Sequence, residues 1–399
     1  MGKYNFDEIV ERRGTNSYKW DLPKREDIIP MWVADMDFKT APCIIEALKK
    51  RVEHGVFGYN FVPDSYYDAV INWFDRRHQW KIQREDILYT SGVVPAISCS
   101  LKAMTMPGDK VLIQTPVYNC FFSSIKNNGC EVLENPLRRQ GDSYVIDFED
   151  FERKCADEKT TVFLLCNPHN PSGRVWTKEE LERMNDICLK HGVKVIADEI
   201  HCELTMPGYT YQPFAAVSDA CRDNSVVLNS PSKAFNIAGL QIANIVCHQP
   251  ERRQRINRAL NINEVCDVNA FGIIALQEAY NNGGEWLDEL KQYLYENYVA
   301  LKEFFAEYLP KLEVCRLEGT YLAWVDLSRI ELTADEAAHD LLEHAKVLVN
   351  SGTMYGQKDG FCYLRINLAC PRATLMEGLK RIGRELSPYM VDEAQGCPM

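Results

Sequence analysis

The sequence predicts an α/β protein in which a mostly parallel central sheet is covered by helices and accompanied by a smaller α+β domain. Continuous apolar runs of strand length, such as 161–166, alternate with stretches of helical periodicity. Such runs are typical of parallel strands that are buried on both faces. From about residue 284 the pattern changes to one long amphipathic helix, short strands and two further helices. We therefore expect a large domain over 46–283 and a small domain that combines 1–45 with 284–399.

Composition and charge indicate which binding partners and which cellular compartment to expect. The 399 residues carry a net charge of -12, with no basic stripe and no long run of like charges. Nucleic acids and anionic membranes bind clustered Lys and Arg, so we expect neither as a partner. The N-terminus lacks the apolar core of a signal peptide, and no segment has the roughly 18 apolar residues of a membrane span. We expect a cytoplasmic protein whose 15 cysteines are buried, reduced thiols, since none forms Cys-x-x-Cys.

The N-terminal part shows no sustained periodicity but contains two aromatic patches, 14–21 and 30–38. Their tryptophans, Trp20 and Trp32, either form the edge of a core or line a pocket. A predicted helix follows, and the glycine-punctuated turn after it presents Tyr59. By itself, Tyr59 indicates packing rather than function.

A predicted strand that begins at Ile87 is followed by a turn at Gly92 and a helix that opens at Pro95. Backbone N–H groups at the start of a helix lack partners within the helix. Those of Val93 and Val94 are therefore free to bind a ligand above the edge of the sheet. A phosphate suits such a site.

Four later strands are each followed by a residue that is suited to a site. Tyr118, Asn170, Asp198 and Lys233 all come after the ends of apolar runs. Ligands of parallel sheets bind at the carboxyl ends of the strands, and these ends lie at one edge. We therefore expect the four side chains to lie close together.

The remaining elements follow from capping residues and periodicity. A capping box at 177–180 starts a helix that ends before Gly192, and 241–247 returns into the sheet. Residues 392–399 are expected to form a frayed tail. The small domain is predicted to contain helices over 286–308, 334–345 and 372–386, and strands over 312–317, 321–327, 347–350 and 361–369.

Lys233 follows Ser230 and Ser232 at the end of the strand 226–228. One interpretation is a solvated lysine in a turn, because lysine is mostly exposed. The other is an amine that forms a Schiff base with an aldehyde, while the two serines hold a phosphate. The convergence of polar side chains at the same edge of the sheet favours the second interpretation.

Several motifs, taken in order along the chain, carry a resemblance to a known family. They are Asn170-Pro-Ser-Gly173, Asp198-Glu-Ile-His201, Ser230-Pro-Ser-Lys233 and the arginine Arg365. This set resembles the fold-type I, pyridoxal-phosphate-dependent class I/II aminotransferase family, from about residue 15 to residue 385. Within the family, three segments of the chain are similar to the MalY/PatB-type branch, which contains the cystathionine β-lyases and related C–S lyases. They are Trp32-Val-Ala-Asp-Met-Asp-Phe38, Gly92-Val-Val-Pro95 and Asp198-Glu-Ile-His201.

The resemblance implies pyridoxal 5'-phosphate as the cofactor. Lys233 would hold it covalently and then, once displaced by substrate, take the Cα proton. Asp198 would pair with the pyridine nitrogen, Asn170 would donate to the ring oxygen, and Tyr118 would stack on the ring face. The phosphate would be bound by the N–H groups of Val93 and Val94 and by the hydroxyls of Ser230 and Ser232.

Two roles come from the resemblance alone. Tyr59 matches a tyrosine that reaches the phosphate of the neighbouring subunit, which implies a homodimer with shared active sites. Arg365 matches an arginine that clamps the substrate carboxylate with two hydrogen bonds. The other interpretation of Arg365 is a structural ion pair. Tyr59, Tyr118 and Asn170 are also expected to contact the substrate, and Trp20 and Trp32 to contribute to its pocket.

The chain departs from many aminotransferases at two positions. His201 stands where a tyrosine is common, and Gln241 stands where an arginine commonly binds phosphate. Both departures are similar to the lyase branch. His201 is either a cofactor ligand or a packed neighbour, and Glu203 beside it has no assigned role.

The sequence thus predicts a dimeric, pyridoxal-phosphate-dependent C–S β-lyase of amino-acid metabolism. Its substrate would be cystathionine, cysteine or another cysteine S-conjugate, and its products pyruvate, ammonia and a thiol. One alternative is an aminotransferase. An alternative from another class is a regulatory, protein-binding role on the same scaffold.

Overall fold

The computed structural model describes residues 2–262 and 267–391. The strands are β1 (Ile29–Pro30), β2 (Ile87–Thr90), β3 (Lys110–Ile113), β4 (Glu131–Glu134), β5 (Arg138–Gln140), β6 (Ser143–Val145), β7 (Thr160–Cys166), β8 (Lys194–Asp198), β9 (Ser225–Asn229), β10 (Ala243–Val246), β11 (Glu313–Val314), β12 (Leu322–Asp326), β13 (Val347–Leu348), β14 (Asn350–Ser351) and β15 (Tyr363–Asn367). The α-helices are α1 (Tyr18–Asp21), α2 (Pro42–His54), α3 (Asp64–His78), α4 (Val93–Met104), α5 (Asn119–Asn127), α6 (Phe148–Cys155), α7 (Lys178–Lys190), α8 (Asp219–Asn224), α9 (Pro250–Asn261), α10 (Ala270–Asn282), α11 (Gly284–Tyr308), α12 (Ala334–Glu343) and α13 (Arg372–Leu386).

The central sheet has seven strands in the order β2-β10-β9-β8-β7-β3-β4. Its pairs are parallel except for β10, which runs antiparallel to both β2 and β9. The predicted α/β class with a mostly parallel sheet is confirmed. Within it, Cys166 pairs with Asp198, and Asp198 with Leu228. This register aligns the carboxyl ends of β7, β8 and β9.

Both faces of the central sheet are buried. Along β8, Val195 and Ala197 pack on one face while Ile196 packs on the other. Helices α4, α5 and α9 cover the face of Ile196, and α3, α7 and α10 contribute to the core on the opposite face. The continuous apolar runs in the sequence reflect this burial on two sides.

A second sheet of four strands, β11-β12-β15-β14, is antiparallel. Strand β1 of the N-terminal segment pairs with β13, so this segment joins the C-terminal part of the fold. The division into 46–283 and the remainder stays a prediction, and the separation of the two sheets along the chain supports it.

Two boundaries differ from the expected ones. Helix α4 starts at Val93 rather than at Pro95. Proline is tolerated in the first turn, where its missing N–H would have no partner within the helix. The predicted strand 347–350 is split, because β13 pairs with β1 whereas β14 pairs with β15. The predicted tail 392–399 lies outside the described residues.

Among residues 2–262 and 267–391, no helix combines the length and apolar character that crossing a bilayer requires.

Asn297 of α11 connects this helix to the segment that follows β15. Its amide donates to the carbonyls of Leu368 and Cys370, both at 2.9 Å, and its oxygen accepts from Arg372 Nε at 2.7 Å. The side chain is fully buried. It therefore satisfies two backbone carbonyls that water does not reach.

We expect Asn297→Ala to lower the free energy of unfolding by about 3 kcal/mol, because the buried carbonyls and the arginine lose their partner. Urea denaturation followed by circular dichroism measures this loss. The matched control is Asn282→Ala, since Asn282 is exposed and bonds Glu278 of its own helix. Equal effects of the two substitutions would contradict the assignment.

Candidate active site

A cavity of about 430 Å³ lies at the carboxyl ends of β7, β8 and β9. The structure brings together there most of the side chains that the sequence singled out. They are Val93, Val94, Tyr118, Asn170, Asp198, His201, Ser232, Lys233 and Arg365. Because β7, β8 and β9 are paired in register, the residues that follow them meet at one point.

Lys233 is the amine of this cavity. Its Nζ donates to the carbonyl of Ala34 at 2.5 Å. Burial lowers the pKa of Lys233 to about 8; nearby Arg365 acts in the same direction, and the carboxylates of Asp35 and Asp198 oppose it. At neutral pH, Lys233 is therefore more often a neutral amine, the nucleophilic and basic form, than an exposed lysine is.

Asp198 is a buried carboxylate at the end of β8. It accepts a hydrogen bond from the N–H of Ile200 at 3.1 Å. Burial raises the pKa of Asp198 to about 7, although this hydrogen bond and the charge of Lys233 both lower it. A cationic group placed against Asp198 would favour its ionised form.

Arg365 enters the cavity from β15. Its two terminal nitrogens donate to Asn170 Oδ1 at 3.1 Å and to the carbonyl of Trp32 at 2.9 Å. The guanidinium lies over the ring of Tyr355, 4.7 Å from its centroid. Its Nε is buried and has no hydrogen-bond partner. The Nε–H of Arg365 is thus available to an acceptor such as a carboxylate.

His201 follows Asp198 by three residues and lines the same cavity. Burial lowers the pKa of His201 to about 3, and the positive charges of Lys233 and Arg365 lower it further. The imidazole is therefore neutral at physiological pH. Its Nδ1 is buried without a partner, and its ring meets that of Tyr321 edge to face at 6.0 Å.

The start of α4 forms another wall. Gly92 precedes the helix, and no side chain caps its first N–H groups. Val93, Val94 and Ser232 line the cavity beside it. Free N–H groups and the positive end of the helix dipole favour an anion at this position.

Three predicted residues do not line the cavity. The hydroxyl of Ser230 donates to the carbonyl of Ile242 at 2.6 Å and accepts from Ser232 N at 3.1 Å, so it fixes the turn before Lys233. Trp20 donates to Asp37 at 2.8 Å. Tyr59 is fully exposed. For Ser230 and Trp20 this placement favours a structural role; the role of Tyr59 depends on a second subunit.

Glu203, which had no assigned role, lies in a separate buried cluster. It accepts hydrogen bonds from Trp73 Nε1 at 2.6 Å and contacts His78 Nε2 at 2.7 Å. Burial raises its pKa, but His78 and Arg77 outweigh this effect and hold the pKa of Glu203 below its usual value. Glu203 therefore stabilises the packing of α3.

Sequence reasoning did not identify several residues of the wall. They are Tyr18, Ser91, Cys120, Asn350, Met354 and Tyr355. Tyr18 reaches the cavity beside Trp32, with their rings stacked at 5.3 Å. Most of these residues lie on loops or at element ends, where periodicity carries no signal. Only the aromatic patch 14–21 could have indicated Tyr18.

These features fit one kind of ligand. The helix start suits an anion, Lys233 an aldehyde, Asp198 a cationic ring nitrogen, and Arg365 a carboxylate. Phosphate, aldehyde and ring nitrogen are three of the functional groups of pyridoxal phosphate. The donor set of the cavity therefore fits that cofactor together with an amino acid.

Comparisons with known proteins agree with this chemistry. The family described as "Aminotransferase class I and II" matches residues 26–382. Cystathionine β-lyase PatB of Bacillus subtilis (strain 168) is 43% identical over 387 residues, which cover 96% of this chain and 100% of that protein. Among solved structures, pyridoxal-phosphate-containing cystalysin from Treponema denticola is 35% identical, with a TM-score of 0.94 and coverage of 96% and 99%.

A pyridoxal-phosphate-bound C–S lyase from Staphylococcus hominis is 33% identical, with a TM-score of 0.89, and the match covers 96% of this chain and 98% of that one. The family and the lyase branch that the motifs predicted are confirmed.

The raised pKa of Asp198 predicts how stability changes with pH in the protein without ligands. The pKa is about 7 in the folded state, whereas an unfolded aspartate titrates near about 3.9. Between these values the folded state keeps a proton that the unfolded state has lost. Stability is therefore lost as pH rises through this window.

Asp198→Asn removes this loss. We compare the unfolding free energy of the variant with that of the wild type at each pH. We expect this difference to be about 2–3 kcal/mol more in favour of the variant at pH 8 than at pH 5. Urea denaturation at the two pH values measures it. Asp68→Asn, at an exposed position of α3, is the control. If Asp198→Asn unfolds with the same pH dependence as the wild type, the buried carboxyl does not titrate as described.

Proposed function

The chain belongs to the class I and II aminotransferase family, and we propose that it is a pyridoxal-phosphate-dependent C–S β-lyase that acts on cystathionine, cysteine or another cysteine S-conjugate. The observation that carries the proposal is the meeting of Lys233, Asp198 and Arg365 around one cavity. The similarity over 96% of the chain to a cystathionine β-lyase supports it. The products would be pyruvate, ammonia and a thiol.

Each part of the cavity has one task in holding the cofactor. When bound, pyridoxal phosphate supplies an aldehyde for the substrate amine and an electron-withdrawing ring that stabilises charge at Cα. The N–H groups of Val93 and Val94, with Ser232, would bind the phosphate. Asp198 would hold the ring nitrogen in its protonated form, and the buried site keeps this ion pair strong.

The substrate is positioned by Arg365 and deprotonated by Lys233. The free Nε of Arg365 would donate to the α-carboxylate, which fixes the amino acid over the cavity. Lys233, once released, is neutral more often than an exposed lysine, and in that form it would take the proton from Cα. The electron pair left at Cα would form a double bond to Cβ as the C–S bond breaks, and the sulfur would leave with its bonding pair as a thiolate. The released 2-aminoacrylate would take up water and give pyruvate and ammonia.

The same residues would serve an aminotransferase, which is the second candidate and gives the family its name. The two reactions diverge after proton removal from Cα. A lyase expels a group from Cβ, whereas an aminotransferase moves the proton to the cofactor. Placement of the Lys233 amine relative to the substrate decides between them.

We also propose a cytoplasmic homodimer with shared active sites. Tyr59 lies on the loop after α2, where Val56, Phe57 and Phe61 are also exposed. An apolar loop of this kind is suited to burial against a second copy of the chain. The 13 cysteines of the described residues are free thiols, which fits a reducing compartment.

Lys233→Ala is expected to lower pyruvate formation from L-cystathionine about 10³-fold or more, because the proton acceptor and the covalent anchor are lost. Pyruvate is measured with purified protein supplied with pyridoxal phosphate. Lys81→Ala, at an exposed position, is the control and should retain full activity. Pyruvate release without dependence on Lys233 would refute the mechanism.

The same assay separates the two candidate reactions. A lyase forms pyruvate without an acceptor, whereas transfer of the amino group requires a 2-oxo acid such as 2-oxoglutarate. Glutamate formation that depends on 2-oxoglutarate, without pyruvate release, would favour the aminotransferase.

Shared active sites predict complementation between two inactive variants. In a hybrid of Lys233→Ala and Tyr59→Ala subunits, one site has an intact Lys233 together with an intact Tyr59 from the partner. Random mixing should restore about a quarter of the wild-type activity. Activity after co-refolding of the two variants is the measurement. No recovery, with dimers present by size-exclusion chromatography, would rule out sharing through Tyr59.

A further inference from the structure

Residues 32–38, here called the strap, bring backbone carbonyls to the two cationic side chains of the active site. The carbonyl of Trp32 accepts from Arg365 at 2.9 Å and from Asn350 at 3.2 Å. That of Ala34 accepts from Lys233 at 2.5 Å and from Tyr321 at 3.0 Å. The strap therefore sets where both cations lie.

Two asparagines fix the rest of the strap. Asn367, at the end of β15, donates to the carbonyls of Val33 and Asp35, both at 2.7 Å. Asn236, three residues after Lys233, donates to the carbonyls of Met36 and Phe38 at 3.0 and 2.8 Å. These contacts tie the strap to both sheets of the fold.

The strap carries two carboxylates, and both are neutralised by one cluster. Lys19 Nζ lies 2.8 Å from Asp37 Oδ2 and 3.8 Å from Asp35 Oδ1. Arg12 lies 2.8 Å from Asp35 and 2.6 Å from Asp37. Trp20 donates to Asp37 at 2.8 Å. We call Arg12, Lys19, Asp35 and Asp37 the strap cluster.

The strap cluster is balanced in charge and largely buried. Lys19 is 1% exposed and Asp37 is 4% exposed. Arg12, Lys19 and Asp37 do not line the cavity, so they have no contact with a ligand there. A buried ion pair contributes little to stability in comparison with an apolar pair, but removing one member leaves an uncompensated charge. The strap cluster therefore matters for the conformation of the strap rather than for overall stability.

We propose that Lys19 and Arg12 are positioning residues, which hold the strap so that Ala34 orients the amine of Lys233 and Trp32 orients the guanidinium of Arg365. This inference rests on the proposed function and adds to it a determinant outside the cavity. Proton transfer and substrate binding depend steeply on position, and a displacement of about 1 Å can cost about 10²-fold in rate.

The cluster is also coupled electrically to Lys233 through Asp35. The charged and titratable groups that act on the amine are Asp35 of the strap, Asp198 and His201 after β8, Cys120 of α5 and Arg365 of β15. The hydroxyl of Tyr321 shares with the amine the carbonyl of Ala34. Asp35 favours the protonated amine. Loss of the Lys19 cation leaves Asp35 less compensated, which favours the protonated form further. Loss of the Asp35 charge has the opposite effect.

The test combines amine reactivity with steady-state kinetics. In the protein without cofactor, Lys233 is labelled briefly with acetic anhydride over a range of pH, and the peptide that contains it is quantified by mass spectrometry. We expect the midpoint of labelling to rise by about 0.5–1 pH unit in Lys19→Met and to fall by a similar amount in Asp35→Asn. A purely structural role would lower stability without moving the midpoint in opposite directions.

In the cofactor-loaded enzyme, Lys19→Met should lower kcat/KM for L-cystathionine about 10–100-fold. A misplaced Lys233 amine should lower kcat, and a misplaced Arg365 guanidinium should raise KM. The control is Lys39→Met. Lys39 directly follows the strap, is exposed and pairs with Glu8, so neither labelling nor kinetics should change.

The outcomes separate this inference from the proposed function. Opposite shifts of the midpoint together with the loss in kcat/KM support positioning. Unchanged midpoints, or shifted midpoints with unchanged kinetics, overturn it. If Lys19→Met does not fold, Asp35→Asn tests the same coupling by its downward shift. If the wild type forms no pyruvate, the proposed function fails, whereas opposite shifts would still support the coupling of the strap cluster to Lys233.

Discussion

The active site depends on hydrogen bonding between three adjacent parallel strands. Because β7, β8 and β9 are paired in register, the residues that follow Cys166, Asp198 and Leu228 lie side by side. The loop with Asn170, the carboxylate of Asp198 and the amine of Lys233 reach one cavity for this reason. A shift of one residue would turn the side chain of Asp198 to the other face of the sheet.

The second requirement is compensation of buried charge. Asp198 and Arg365 are buried and Lys233 is partly buried, and the charge of each would be unfavourable without compensation. Backbone carbonyls of the strap, the amide oxygen of Asn170 and the N–H of Ile200 provide part of the compensation. The remainder is left to a ligand, as the unpaired Nε of Arg365 and the raised pKa of Asp198 indicate. Much of the compensation is thus supplied by the chain itself.

The central sheet and most of the candidate site could be predicted because their signals are local. Apolar runs define strands that are buried on both faces, and the carboxyl ends of such strands locate Tyr118, Asn170, Asp198 and Lys233. The contribution of Arg365 came from resemblance, since an arginine in an antiparallel strand has no periodic signal. Tyr355 and the strap cluster escaped detection because most of these residues lie outside long helices and strands, where the sequence has no periodic pattern that would indicate their contacts. The role of Ser230 stays a prediction: sequence does not tell whether a hydroxyl faces a ligand or its own backbone, and in the structure this hydroxyl donates to the carbonyl of Ile242.

The unsatisfied Nε of Arg365 also bears on which molecules the cavity rejects. A decarboxylated analogue, in which a 2-aminoethyl group replaces the cysteine part of the conjugate, presents the same amino group and the same sulfur. It would leave the buried donor without an acceptor and would forfeit the hydrogen bond that orients Cα. Sites with buried polar groups discriminate strongly against analogues that lack the matching group, by as much as about 10⁴-fold. In the proposed function, the unpaired Nε of Arg365 would therefore favour α-amino acids over amines that lack the carboxylate.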